Sequence, residues 1–117
     1  MRSGWLLREG DVICALEMTE SPRERRRGLR AGSGAAGAVQ CVGARGRHSA
    51  GRAGAIDLAF LGEDLTVLHL ARLEPWRVAR PRPGVRSVLE AEPGSWSRWA
   101  IRVGDQLEIR PVESGPA

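Results

Sequence analysis

Between residues 11 and 18 the side chains alternate, with Val12, Cys14, Leu16 and Met18 on one side and Ile13, Ala15 and Glu17 on the other. A period of two is the mark of a strand, and the first set is expected to face a core. The alternation gives way to Ser21-Pro22-Arg23-Glu24. Ser21 can accept from the amide of residue 24, Glu24 can reach back to residue 21, and proline suits the first helical position, so a short helix is predicted here. Its arginines leave mainly Leu29 to bury, and Gly28 weakens the turn it occupies.

Residues 31–54 are dominated by glycine and alanine, and only Val39, Cys41 and Val42 offer apolar bulk. The expectation is a flexible segment with at most one strand, near residues 38–42. Alternation returns at residue 55: Ile56, Leu58 and Phe60 share one face, Ala55, Asp57, Ala59 and Leu61 the other. Gly62, Glu63 and Asp64 form a turn signal, and residues 65–73 read as the partner strand of a hairpin. The prolines at 75, 81 and 83 deny residues 75–84 a continuous ladder of donors, so this run should cross the surface extended or in turns. Residues 85–91 suit another strand, 94–100 a single helical turn, and 106–110 a last strand.

These elements predict a mainly β (α+β) fold, a small partly open β-barrel or sandwich with one or two short helices and a glycine-rich loop. At 117 residues one domain is expected, with its core between residues 11 and 110. Residues 1–14 hold neither a signal-peptide core nor a membrane span, so the expected setting is cytoplasmic and Cys14 and Cys41 are expected to be reduced. The net charge of +4 and a pI near 10.8 would ordinarily point to an anionic partner. However, all 18 basic residues are arginine, and lysine, asparagine and tyrosine are missing. That composition resembles the codon bias of a GC-rich genome, which makes nucleic acid an unlikely partner on charge alone.

Four segments are similar to the family known as domain of unknown function 192, a widespread group of small prokaryotic domains: residues 20–29 (ESPRERRRGL), 56–70 (IDLAFLGEDLTVLHL), 75–92 (PWRVARPRPGVRSVLEAE) and 100–107 (AIRVGDQL). The resemblance implies a compact, mainly β, partly barrel-like fold and no established activity. The family's most characteristic run, His-Thr-Phe-Gly-Met leading into Pro-Ile-Asp, corresponds here to residues 48–57. His48, Gly51 and Asp57 keep their places, while Ala50, Arg52 and Ala55 stand where the family has an aromatic, a methionine and a proline. The resemblance therefore implies a shallower pocket.

His48, Ser49, Gly51, Asp57, Trp76 and Arg77 are the candidate ligand-binding residues. An imidazole beside a carboxylate can act as a base or orient water. A Ser-His neighbour pair is not a triad, and the chain has no G-x-S-x-G elbow. The expected role of Asp57 is to accept from loop amides, His48 or Arg52 and so pin the loop to its strand. Trp76 among Arg77, Arg80 and Arg82 is expected to lie as a lid over the barrel end. Trp96 and Trp99, three apart, are expected as core anchors. Cys14, Cys41, His48 and His69 show no zinc-like spacing, and the glycines at 32, 34 and 37 lack the strand and helix a dinucleotide fingerprint needs, so no metal or cofactor is expected. The function expected is a non-enzymatic module binding a small ligand or a protein partner. The alternatives are a hydrolase-like enzyme using His48 and Asp57 and a non-specific nucleic-acid binder.

Overall fold

The computed structural model describes residues 1–30, 37–50, 52 and 54–112. In chain order the elements are β1 (Arg2–Arg8), β2 (Asp11–Met18), α1 (Pro22–Arg27), a 3-10 turn (Gly28–Arg30), β3 (Gly37–Val42), β4 (Arg47–His48), β5 (Ile56–Leu61), β6 (Val67–Leu73), β7 (Val78–Ala79), β8 (Ser87–Ala91), α2 (Ser95–Arg98) and β9 (Leu107–Pro111). Seven strands form one sheet in the order β6-β5-β8-β3-β2-β1-β9, and β4 pairs with β7 in a separate two-stranded ribbon. All pairings are antiparallel except β2 with β3.

The first strand was not foreseen from the alternation of residues. Leu6 and Leu7 are both buried although they are adjacent, which breaks the period of two; the register shift opposite them falls at Ile13 of β2 and leaves Val12 exposed rather than facing the core. Around residue 21 the helix start forms as expected on one arm: Ser21 Oγ accepts from the Glu24 amide at 3.1 Å. The other arm reaches one residue further, with Glu24 Oε1 accepting from the Glu20 amide at 2.8 Å.

The glycine-rich stretch holds more structure than its composition predicts. Residues 31–36, 51 and 53 lie outside the described residues, but Gly37–Val42 forms the middle strand of the sheet, between β2 and β8. Small residues are what the position demands. Gly37 lies opposite Ala15, and a β-carbon there would overlap the Ala15 carbonyl.

The edge strands β6 and β9 curl toward each other and touch through a bridge between Thr66 and Gln106, flanked by Val67 N–H to Asp105 O at 2.9 Å and Leu107 N–H to Leu65 O at 3.2 Å. The contact is too short to close a ladder, so the sheet stays partly open. Within the curl lies one apolar cluster, with Leu6, Leu16, Leu61, Leu89 and Leu107 under Trp96 of α2; Trp99 packs against it, its ring 5.9 Å from that of Trp96. On the outer face of β3, β5 and β8 lies a second cluster, including Val39, Cys41, Leu58, Phe60 and Val88. The 3-10 turn, the loop before β4 and the ribbon cover this outer face through Leu29, Ala44 and Ala79. Among the described residues no helix is long and apolar enough to cross a membrane.

Candidate functional site

Glu90 organises the covered outer face. It sits in β8 directly opposite Val39 on one neighbour and Leu58 on the other, and is fully buried. A carboxylate in such a place must be paired. Arg47 of β4 supplies Nε at 2.5 Å from Oε2, Arg52 supplies Nη2 at 2.9 Å from Oε1, and the Leu29 amide donates to Oε1 at 2.8 Å. The two guanidiniums continue to the end of α1, where Arg47 Nη2 donates to Arg26 O at 3.4 Å and Arg52 Nη2 to Arg27 O at 3.3 Å. One buried acid thus ties together the sheet, the helix end and the segment leading into β5. Gly28 takes φ of +56°, and a β-carbon on it would overlap Glu90 Oε1.

No motif or spacing along the chain marks this cluster, although one signal is legible. Glu90 interrupts the apolar run of residues 88–91 in a strand that both neighbours and both faces bury. The family resemblance makes Arg52 the replacement of a methionine and implies a shallower pocket; the side chain instead turns inward and is buried against Glu90.

Beside the ribbon, Ser49 holds the turn that precedes β7. Its hydroxyl donates to Glu74 O at 2.5 Å and accepts from the Arg77 amide at 2.7 Å, its amide donates to Arg77 O at 2.9 Å, and its carbonyl accepts from the Trp76 amide at 3.1 Å. Trp76 is held there at φ of +60°, a conformation that disfavours residues with a β-carbon, and it is 71% exposed. The expected tryptophan lid is therefore not formed, because the turn aims the indole at solvent.

The structure separates the other candidates. His48, Ser49, Trp76 and Arg77 gather at the ribbon, His48 exposed and paired in register with Val78. Asp57 belongs to the opposite face: its Oδ2 accepts from the Gly94 amide at 3.0 Å and the Trp96 amide at 3.3 Å. Gly94 has no side chain to cap α2, and Asp57 does so from β5. Asp57 thus accepts backbone amides as expected, but those of α2 rather than of the loop at 48–55, and the sheet stands between it and His48. Gly51 lies outside the described residues.

Two clefts flank the ribbon and share Val78, Ala79 and Pro81 as a common wall. One, of about 520 Å³, lies toward α1 and is lined by Arg25, Arg26, Arg45, Arg47 and His48 with the glycines of that loop. The other, of about 510 Å³, has Phe60 and His69 at its base, their rings 5.6 Å apart, with Arg72, Arg80 and Arg82 around them. Neither lining includes a carboxylate among the described residues. The Arg82 guanidinium lies 5.7 Å from the Phe60 ring centre, within cation–π reach. Among the described residues the side chains of Arg45, Arg77, Arg80 and Arg82 form no ion pair. The four conceivable metal ligands are dispersed: Cys14 is in the inner cluster, Cys41 in the outer one, and His48 and His69 line different clefts. Burial pushes the Cys14 thiol up to about 11 and the Cys41 thiol to about 12, the latter with help from the Glu90 charge.

Two solved structures share this architecture. A crystal structure of a proposed transcription regulator from Sinorhizobium meliloti matches with a TM-score of 0.75 at 21% identity, over 92% of both chains. A protein of unknown function from Novosphingobium aromaticivorans matches with a TM-score of 0.69 at 18% identity, over 92% of this chain and 84% of the other. Identities this low show the fold alone. In sequence, UPF0127 proteins of Pyrococcus abyssi and Pyrococcus furiosus are 34% and 35% identical over 53 and 54 residues, 45% and 46% of this chain. These matches span a little under half of each relative's own length, 45% and 47%. The family model for domain of unknown function 192, described as an uncharacterized ACR, matches residues 6–109. The chain belongs to that family.

Proposed function

We propose that the domain is a binding module, and that the cleft between α1 and the ribbon takes a small anionic ligand bearing phosphate or carboxylate groups. The observation that carries this reading is the imbalance of the lining: Arg25, Arg26, Arg45 and His48 face the cleft without a carboxylate, while the charge of Arg47 is already committed to Glu90. Guanidiniums converging on a concave surface suit a phosphate or carboxylate. The Glu90 cluster supports the reading further, because it fixes both walls, the end of α1 through Arg26 O and β4 through Arg47 itself. Preorganised walls bind at lower entropic cost. A hydrolase built on His48 and Asp57 is disfavoured by the sheet between them.

Calorimetric titration of the full chain with pyrophosphate tests the reading. Saturable binding that weakens several-fold in Arg45→Ala is expected, since Arg45 is exposed and its loss leaves the fold untouched. Heats of dilution alone, with no saturation up to millimolar ligand, would sink it.

A further inference from the structure

The arginines are less evenly placed in space than along the chain. Between Glu74 and Glu90 the sequence holds four arginines, at 77, 80, 82 and 86, and no carboxylate, and all four are exposed. The end of α1 and the β4 loop add Arg25, Arg26 and Arg45 on the same covered face of the sheet. The carboxylates nearby are spent: Glu90 is buried on Arg47 and Arg52, and Glu74 pairs with Arg72 at 3.2 Å. Codon bias accounts for arginine being chosen over lysine. It does not account for acids being excluded from one surface.

Two further features of that surface point to an extended ligand. The clefts are consecutive, divided only by the two residues of β7 and Pro81, and each is large enough for a nucleotide-sized unit. Beside them Trp76 is presented to solvent on a turn fixed by Ser49, in a left-handed backbone conformation that disfavours residues with a β-carbon. An exposed indole on a rigid, strained turn is an aromatic face held ready.

We infer that the ribbon face binds single-stranded nucleic acid, with phosphates following the guanidiniums through the two clefts and an unstacked base on Trp76. This deepens the anion-site reading and rests on it. Single strands, unlike a duplex, offer free base faces to an aromatic, and a basic groove with a stacking platform is the combination that binds them without sequence preference. An acidic peptide would meet the arginines equally but would gain little from the indole.

The test is fluorescence anisotropy of a labelled oligothymidine of about twelve nucleotides with the full chain. With about four phosphates contacted, the single-strand slope of about −0.7 per phosphate predicts a loss of affinity on the order of 50-fold between about 50 and 200 mM salt. Trp76→Ala should weaken oligonucleotide binding about tenfold and leave pyrophosphate binding unchanged, whereas Trp5→Ala, on β1, should change neither. Pyrophosphate binding with no tighter oligonucleotide binding would overturn the inference and leave the anion site standing. So would polyglutamate competing as well as the oligonucleotide with Trp76→Ala without effect, which would mark a peptide surface. If neither pyrophosphate nor the oligonucleotide binds, both readings fall.

Discussion

Arg47 Nε lies 2.5 Å from Glu90 Oε2, and both side chains are sealed from solvent. Removing the negative charge would leave two buried guanidiniums without their counter-ion. Breaking a buried ion pair from one side costs about 3–5 kcal/mol, so Glu90→Gln should lower the urea midpoint by that equivalent. A midpoint within error of the parent would show that the cluster does not hold α1 and the ribbon to the sheet.

Gly28 and Gly104 both take positive φ, +56° and +96°, but a β-carbon at Gly104 meets nothing within 4 Å. Gly104→Ala should therefore cost only the backbone strain, roughly 1–2 kcal/mol. Gly28→Ala adds an overlap with the Glu90 carboxylate, and overpacking of that kind costs a further ~1–3 kcal/mol. Equal losses in the two variants, measured by chemical denaturation, would mean that Gly28 is present for its turn alone.

The sheet between Asp57 and His48 makes their variants behave differently. Asp57→Ala strips a charged acceptor from two amides, a loss of about 1.5–3 kcal/mol, and should loosen Trp96 in near-ultraviolet dichroism without altering pyrophosphate affinity. His48→Ala should leave stability within about 0.5 kcal/mol, as exposed substitutions do, and weaken pyrophosphate binding several-fold. Parallel effects of the two variants on binding would contradict their separation.

Both thiols are held protonated by burial, Cys14 up to about 11 and Cys41 to about 12, against an ordinary value of 9.0. The folded state therefore retains protons that the unfolded chain releases above pH 9.0. The resulting stability is fully present below that pH and is lost as pH rises toward the folded values. Denaturation midpoints should show no thiol contribution to pH dependence below pH 9 and a fall above it, and Cys14→Ala/Cys41→Ala should flatten that fall. Both thiols should also resist a disulfide reagent until the chain unfolds.

Much of the sheet was legible because its strands carry a clear period of two: β2, and β5 with its hairpin partner β6. The helix start was legible from Ser21 and Pro22. What stayed hidden had physical causes. In β1 the adjacent Leu6 and Leu7 are both buried, so the alternation breaks where it would be read. In β3 the close approach of Ala15 at Gly37 and the glycine-rich flank leave little apolar bulk, so a central strand shows only as one faint stretch near residues 38–42. The site was half legible. His48, Ser49, Trp76 and Arg77 do gather, but a strand residue such as Asp57 reveals its polarity and not its face, and the Glu90 cluster joins residues 38 and 43 positions apart. Their pairing follows from the sheet order, which no local pattern encodes.

The most direct test of a basic site at the ribbon is a pyrophosphate titration followed by amide chemical shifts of the full chain. Progressive, saturable shifts are predicted, concentrated in residues 43–48 and 78–80, with the amides of β1 and β9 unmoved. Shifts scattered over the surface, or centred on the Asp57 and Trp96 side of the sheet, would contradict it.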